Sequence, residues 1–231
     1  DAAYDDWIIP QTMMTCWMTL DSTSKDKGTL EYVKGSHKWG LQSPKGEFHS
    51  PENYKEELKH IEELLTRRSF YAIGEIGIDL YWDKTFLKQQ QEAFKYQIQL
   101  AKKYKLPIVI HCRDAFDEVF EVLESEKGED LFGIFHCFTG TLEQAKRAIS
   151  YNMKLGIGGV VTFKNGKIDT FLNEIPLTEI VLETDAPYLA PTPYRGKRNE
   201  SLYLTEVAGK LVDIYNTSLK EIVTITTNNS K

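Results

Sequence analysis

The chain has 231 residues, of which 41% are hydrophobic and 27% are charged, and its formal net charge is −6. A chain of this length can bury a sizeable core, and its acidic balance argues against binding nucleic acid over the whole surface by charge alone. No apolar run is long enough to span a membrane and no signal peptide is recognisable, while three scattered cysteines suit a reducing compartment, so we expect a cytoplasmic protein without a membrane partner.

The first fifty residues differ in pattern from the rest of the chain. Apolar side chains alternate with other residues over positions 14–20, and Thr29–Val33 is a second short run after a polar turn. An alternation of period two predicts strands, so residues 1–50 are expected to form a short antiparallel β segment. Because the sequence begins at Asp1 rather than Met, we also expect the chain to be truncated at its N-terminus.

Four short stretches of this segment resemble the phytanoyl-CoA dioxygenase family: Asp1–Tyr4, Trp17–Asp21, Gly28–Val33 and Gly35–Gly40. The resemblance implies a non-haem iron, 2-oxoglutarate enzyme in which Asp1 would be the carboxylate of the iron-binding triad. Neither histidine of that triad has a counterpart in the chain. We therefore favour a β fragment over a working iron site, and a fragment of such an oxygenase is kept as an alternative function.

From residue 51 onward, apolar runs alternate with amphipathic helical patterns. Five runs read as strands, and the fourth of them is the Gly-rich stretch Lys154–Val161. The repeated order of strand then helix predicts a parallel α/β sheet, here an incomplete TIM barrel with five of eight β/α units over residues 51–231. A first helix is predicted after Ser50, with an apolar stripe of Leu58, Ile61, Leu64 and Leu65. Further helices are predicted over Phe86–Lys105 and Thr141–Ser150, and others that begin at Phe116, Leu204 and Leu219, with a short helix around Ile168.

Four of the predicted strands lead to a side chain that can bind a metal ion: Glu75, His111, His136 and Asp185. Each residue alone is readily explained by a structural role, but the carboxyl ends of parallel strands meet on one face, so four together predict a metal centre. Carboxylates and imidazoles together suit Mg²⁺, Mn²⁺ or Zn²⁺. We expect Glu75 to bridge two ions, the two histidines to bind one of them, and Asp185 to bind the other or to orient the attacking water.

The motifs around these residues resemble those of the TatD family of metal-dependent deoxyribonucleases: Gly74–Asp79, Ile110–Asp114, Phe135–Gly140, Glu183–Tyr188 and Tyr194–Glu200. The resemblance covers residues 51–231 and implies a TIM barrel of the metal-dependent hydrolase type, divalent metal ions and cleavage of DNA. The implied substrate is single-stranded DNA or 3′ ends, attacked by a 3′–5′ exonuclease. The family opens with a strand that carries His-x-His, which this chain lacks, so impaired activity or an inert metal-binding scaffold are the alternatives.

Three basic residues, Arg195, Lys197 and Arg198, follow the last predicted strand. They could hold substrate phosphates or form a solvated loop, and the sequence leaves both interpretations open. Phe138 and Tyr188 are expected to pack in the core or at its rim rather than to stack on a base.

Two cysteines, Cys112 and Cys137, each directly follow a candidate histidine ligand. Since side chains alternate along a strand, we expect both thiols to point away from the pocket as core groups rather than nucleophiles. The sequence predicts no particular oligomeric state.

Overall fold

A computed structural model of the chain describes residues 54–67, 69–81 and 84–231. The chain divides into two compact units, Asp1–Phe70 and Tyr71–Lys231. In the first unit, helix α1 spans Tyr54–Arg67, and Leu58 and Leu65 of its predicted apolar stripe are buried. The predicted β segment and the dioxygenase-like motifs of residues 1–50 lie outside the described residues, and they stay predictions.

The second unit is built on a five-stranded sheet in which neighbouring strands are parallel. The strands are β1 (Ile73–Asp79), β2 (Ile108–Arg113), β3 (Gly133–Phe135), β4 (Met153–Ile157) and β5 (Ile180–Leu182), and they lie in this order across the sheet. The predicted α/β class and its five parallel strands are confirmed. Within the described part of the chain the sheet is open, with β1 and β5 as its two edges.

Helices α2 (Leu87–Tyr104), α3 (Phe116–Ser125) and α4 (Leu142–Ser150) connect the first four strands, and α5 (Leu204–Tyr215) and α6 (Leu219–Asn229) follow β5. Helix α2 packs on β1, α4 on β4 and α6 on β5. Helix α4 begins with a capping box, in which Thr141 and Gln144 each accept a backbone N–H of the other. None of the helices in the described ranges is long and apolar enough to cross a membrane.

The core is formed by the buried faces of the strands and the apolar stripes of the helices. Ile78 and Ile110 of the sheet and Ile98 of α2 have no exposed surface. A cluster of four phenylalanines, with ring centroids 5.6–6.2 Å apart, joins α3 to β3 and the residues after it: Phe116, Phe120, Phe135 and Phe138. Phe138 is only 3% exposed, which confirms its prediction as a core residue.

The Gly-rich run Lys154–Val161 does not form one strand, and that prediction is wrong. Strand β4 ends at Ile157, and the chain then turns through a 3-10 segment, Gly159–Thr162. A Cβ on Gly159 would lie 2.0 Å from the carbonyl oxygen of Leu189. The chain therefore leaves the sheet where the loop after β5 crosses close to it, and only glycine leaves room for that crossing.

The short helix expected around Ile168 is also absent from the described segment after β4. Two single 3-10 turns, Ile168–Thr170 and Leu172–Glu174, take its place. They are separated by Phe171, whose φ of −131° departs from helical values and interrupts the helix.

Candidate metal centre

Glu75 lies inside strand β1 rather than at its end. The prediction that the strand stops there is wrong, because β1 continues to Asp79. Its neighbours Gly74 and Ile76 are paired with successive residues of β2, so Glu75 is the additional residue of a β-bulge. A bulge turns a side chain out of the regular alternation, and the carboxylate of Glu75 is 52% exposed.

His111 is likewise inside a strand, since β2 continues to Arg113, and its predicted place at the strand end is wrong. Its Nε2 lies 3.0 Å from Oδ2 of Asp79, and its Nδ1 lies 4.0 Å from Oε2 of Glu75. Asp79 is itself fixed by the side-chain amide of Gln90, which hydrogen-bonds both its backbone N–H and its carbonyl. The imidazole is therefore oriented from one side and faces Glu75 on the other.

Gly77 allows β1 and β2 to come together beside this histidine. Its φ is +144°, and a Cβ at this position would lie 2.0 Å from the carbonyl oxygen of His111. A residue with a side chain would therefore force the two strands apart at this point.

His136 directly follows β3, as predicted. Its Nδ1 lies 2.8 Å from Oε2 of Glu183. Its Nε2 lies 3.4 Å from Oδ1 of Asp185 and 3.7 Å from Oε1 of Glu75. The side chain is 14% exposed, so these carboxylates act on the imidazole with little screening by solvent.

The two histidines share one arrangement. Each has one ring nitrogen hydrogen-bonded to a carboxylate, Asp79 for His111 and Glu183 for His136, and turns the other nitrogen toward Glu75. A carboxylate accepts hydrogen bonds, so the bonded nitrogen carries a proton, and the other nitrogen would present its lone pair to a metal ion that replaces its own proton. This is how metal-binding histidines are held in proteins, and it leaves both lone pairs directed at one carboxylate.

Neither Asp79 nor Glu183 is among the site residues predicted from the sequence. Both lie within motifs that were singled out, and Glu183 is the first residue after β5. Glu183 also accepts the backbone N–H of Cys137 at 2.7 Å, so it ties β5 to the turn after β3. The carboxylate can cross β4 because that strand carries Gly156, where a Cβ would lie 2.6 Å from Oε2 of Glu183.

Asp185 lies in the loop after β5, three residues beyond the strand. Its backbone is left-handed, with φ of 54°, a conformation that aspartate adopts more readily than most residues. The N–H of Tyr188 donates to its carbonyl at 2.8 Å and closes a turn. The predicted position directly at a strand end is thus wrong for Asp185, although its carboxylate reaches His136.

The predicted basic residues lie further along the same loop. The guanidinium of Arg195 lies 3.6 Å above the ring centre of Phe163, in the segment after β4. Lys197 and Arg198 are exposed. Their contact with substrate phosphates stays a prediction.

The centre is strongly acidic in character, as the pKa of His136 indicates. Burial lowers this pKa, but hydrogen bonds to Asp185 and Glu183 and the charge of Glu75 outweigh burial and raise the pKa to about 10. A group of carboxylates that favours a proton at this position also favours a metal cation there.

The thiols of Cys112 and Cys137, beside the centre, are held in their neutral form. Burial raises the pKa of Cys112 to about 12, and burial with the nearby Glu183 charge raises the pKa of Cys137 as well. Both cysteines are free and partly buried. Since the thiolate is the reactive form, these pKa shifts agree with the prediction that neither is a nucleophile.

The donor set fits a divalent ion in its chemistry and in its pairwise spacing. Two donors that each lie about 2.1 Å from one ion at a tetrahedral angle are about 3.4 Å apart. The separations from Nε2 of His136 to Asp185 and Glu75 are close to this value, and the one from His111 to Glu75 is wider. In residues 54–67, 69–81 and 84–231, no three His, Cys, Asp or Glu side chains are arranged to hold an ion together as they stand.

Comparison with known proteins matches the chain to one family. The profile of the family described as "TatD related DNase" matches residues 17–231, and so includes most of the segment before residue 51. An uncharacterized metal-dependent hydrolase of Bacillus subtilis, YabD, is 44% identical over 178 residues, which are 77% of this chain and 70% of that protein. Another such protein, YcfH of Escherichia coli K12, is 32% identical over 75% of this chain and 66% of its own length.

Solved structures show the same likeness. The crystal structure of YJJV, a TatD homolog from Escherichia coli, superimposes with a TM-score of 0.69 and 30% identity, covering 79% of this chain and 70% of that chain. An uncharacterized amidohydrolase from Saccharomyces cerevisiae superimposes with a TM-score of 0.67 at 18% identity, covering 76% of this chain and 70% of that chain, and this similarity concerns the fold alone.

Proposed function

The chain belongs to the TatD-related DNase family of metal-dependent hydrolases, and from its acidic centre we propose that it hydrolyses phosphodiester bonds of DNA. We infer that it acts on single strands or 3′ ends and releases nucleotides in the 3′–5′ direction. We further propose that the ions are Mg²⁺, Mn²⁺ or Zn²⁺, because carboxylate oxygens and imidazole nitrogens together suit these metals.

The observation that carries this proposal is the position of the Glu75 carboxylate between His111 and His136. One carboxylate oxygen faces Nδ1 of His111 at 4.0 Å, and the other faces Nε2 of His136 at 3.7 Å. A carboxylate between the two histidines would join them in binding one ion and could bridge it to a second, and paired ions suit the in-line displacement at a phosphodiester.

The residues that would hold the ions are Glu75, His111, His136 and Asp185. Divalent ions bound there lower the pKa of a bound water and neutralise charge on the phosphoryl group. The protein's own part is to keep the lone pair of each histidine directed inward, through Asp79 and Glu183. Asp185, whose Oδ1 lies 3.4 Å from Nε2 of His136, would either bind an ion or orient the attacking water and accept its proton.

The basic residues of the loop after β5 support an anionic substrate. Stacking on Phe163 restricts the guanidinium of Arg195 while leaving its edge N–H groups for a phosphate. Lys197 and Arg198 add exposed positive charge in the same loop. Such contacts hold a DNA backbone without reading its sequence, as an exonuclease requires.

The second candidate is a scaffold that binds a metal ion without catalysis. Two observations favour it: the chain has no His-x-His, and among the described side chains no three already form a metal site. In that case the centre would bind a divalent ion, but nucleotides would not be released.

Nucleotide release from single-stranded DNA distinguishes the two candidates. We would incubate 5′-labelled and 3′-labelled oligonucleotides with the full chain in Mg²⁺ or Mn²⁺, with and without EDTA. The Glu75→Gln variant removes the bridging carboxylate, and Glu174→Gln removes an exposed carboxylate outside the centre as a matched control. We expect release that EDTA and Glu75→Gln abolish and that Glu174→Gln retains.

The labels also test direction, because a 3′–5′ exonuclease gives early mononucleotide release from the 3′-labelled strand only. Wild type that binds Mn²⁺ but releases nucleotides no faster than Glu75→Gln would contradict the nuclease proposal and leave the scaffold.

A further inference from the structure

Asn199 is a buried polar residue in the loop between β5 and α5, with 2% of its surface exposed. Its side-chain Nδ2 donates to the carbonyl oxygen of Thr184 at 2.5 Å and to that of Tyr188 at 2.6 Å. Its backbone N–H donates to the carbonyl of Pro187 at 2.9 Å. One residue thus makes three hydrogen bonds to the segment 184–188.

The chemistry of these contacts requires a carboxamide. Backbone carbonyls only accept hydrogen bonds, so the two facing oxygens require the two N–H groups of one Nδ2, and the Oδ1 of Asn199 accepts the N–H of Glu200 at 2.9 Å. Alanine would leave two buried carbonyls without this donor, and aspartate would place an acceptor against them. Glutamine is one methylene longer and would not place its two N–H groups at the same positions.

The segment held in this way carries Asp185. The two carbonyls that accept from Asn199 belong to Thr184 and Tyr188, which lie before and after Asp185 in the chain. Asp185 itself has a left-handed backbone, with φ of 54°. Its carboxylate oxygen lies 3.4 Å from Nε2 of His136. An uncommon backbone conformation persists only where the surrounding structure holds it, so fixing both ends of this turn also fixes the direction of the Asp185 side chain.

We propose that Asn199 is a positioning residue for Asp185, which it holds against His136 by fixing both ends of the turn. The consequence for metal binding rests on the proposed function, because there Asp185 is a ligand or the base. The effect on the position of Asp185 does not depend on that function.

A matched control separates this role from simple stabilisation of a loop. Asn229 also donates from one Nδ2 to two carbonyls, those of Leu177 and Ile180, at 2.9 and 2.7 Å, but near the start of β5. Asn199→Ala and Asn229→Ala therefore remove the same type of bonds from opposite ends of one strand. Urea unfolding measures the stability lost in each variant.

The decisive measurement is Mn²⁺ affinity of the full chain by titration calorimetry. We expect Asn199→Ala to weaken Mn²⁺ binding about tenfold, in the range found when a group that orients a ligand is removed, and Asn229→Ala to leave it unchanged. Asn199→Ala added to Asp185→Asn should weaken binding no further than Asp185→Asn alone, because Asn199 acts through Asp185. Unchanged affinity in Asn199→Ala where Asp185→Asn weakens it, or fully additive losses in the double variant, would overturn the proposal.

Crystals of wild type and Asn199→Ala decide the same point without metal or activity. We expect a wider separation between Asp185 and His136 in the variant, and an unchanged separation overturns the proposal. If Asn199→Ala does not fold, Asn199→Ser, which keeps one hydroxyl donor, replaces it, and failure of both to fold would assign Asn199 to stability instead. Wild type that binds Mn²⁺ without cleaving DNA would refute the proposed function. The positioning role of Asn199 would still be decided by the Mn²⁺ titration and by the crystal structures.

Discussion

The carboxylate of Glu183 is hydrogen-bonded through Oε2 to Nδ1 of His136 at 2.8 Å. The other oxygen of the same carboxylate accepts the backbone N–H of Cys137 at 2.7 Å. Both oxygens are thus occupied by donors from the turn after β3, although Glu183 itself follows β5. Glu183 therefore fixes the ring orientation of His136, a candidate metal ligand, and links the ends of β3 and β5, which are not neighbours in the sheet.

Replacing Glu183 with glutamine should weaken metal binding although glutamine is not expected to contact the ion. A carboxamide has a single acceptor oxygen, so either Nδ1 of His136 or the N–H of Cys137 would face an N–H group instead. We expect the Mn²⁺ affinity to fall about 10- to 100-fold. Titration calorimetry measures it, with Glu174→Gln as the exposed control, and equal affinities in the two variants would contradict the role given to Glu183.

The predicted bridging role of Glu75 can be tested against loss of one histidine. A bridging ligand contacts both ions, whereas His111 would contact one, so Glu75→Ala should reduce nucleotide release more than His111→Ala. Residual rates on single-stranded DNA at saturating Mn²⁺ measure the difference. Bound metal counted by elemental analysis should fall further in Glu75→Ala, and the same residual rate in both variants would exclude the bridge.

Gly156 provides a test of the space through which Glu183 reaches His136. An added Cβ would lie 2.6 Å from Oε2 of Glu183 and 3.0 Å from the carbonyl oxygen of Phe135, so Gly156→Ala must displace the carboxylate. We expect Mn²⁺ affinity to fall as it does in Glu183→Gln. The matched control is Gly209→Ala in helix α5, where a Cβ would meet nothing within 4 Å.

The control variant Gly209→Ala should itself change the stability of the protein. Alanine is favoured over glycine inside a helix, so Gly209→Ala should raise the free energy of unfolding by about 0.5–1 kcal/mol and leave metal binding unchanged. Unchanged Mn²⁺ affinity in Gly156→Ala would show that Glu183 does not need its present position.

The order of strands and helices could be predicted from the sequence because each element repeats its own hydrophobic period. The apolar run before His136, for example, ends where β3 ends. The bulge at Glu75 could not be predicted, because it arises from the pairing of β1 with β2 and has no periodicity of its own. A charged residue after an apolar run indicates a strand end, so the sequence predicts that β1 ends at Glu75, four residues before its observed end.

The residues that orient the ligands were harder to recognise than the ligands. Asp79 and Glu183 are charged residues beside apolar runs, and such residues are usually exposed at strand ends. Their roles depend on which histidine lies opposite, and that is set by strand order and by the space at Gly156. Asn199 gave no signal for the same reason, since its partners are backbone carbonyls that any sequence would supply.

Tyr215 of helix α5 gives a prediction about stability that is independent of the metal centre. Its hydroxyl lies 2.7 and 2.9 Å from the carbonyl oxygens of Leu172 and Ile175, which share its single proton, and so it joins the helix to the 3-10 turns before β5. Burial raises the pKa of this phenol above its usual value. Tyr215→Phe removes the donor, and we expect the free energy of unfolding at pH 7 to fall by about 1–2 kcal/mol.

Because burial raises the pKa of Tyr215, the stability that its phenol contributes should fall at high pH. In the unfolded chain the phenol ionises near pH 10, whereas in the folded protein it stays neutral to higher pH, so its stabilising contribution is complete below about pH 10 and is lost above it. The stability difference between wild type and Tyr215→Phe should therefore narrow as pH rises past 10. Urea unfolding at pH 7, 9 and 10.5 measures this, with Tyr71→Phe, at a residue 67% exposed, as the control. A difference that stays constant across these pH values would show that the phenol is not held neutral by the fold.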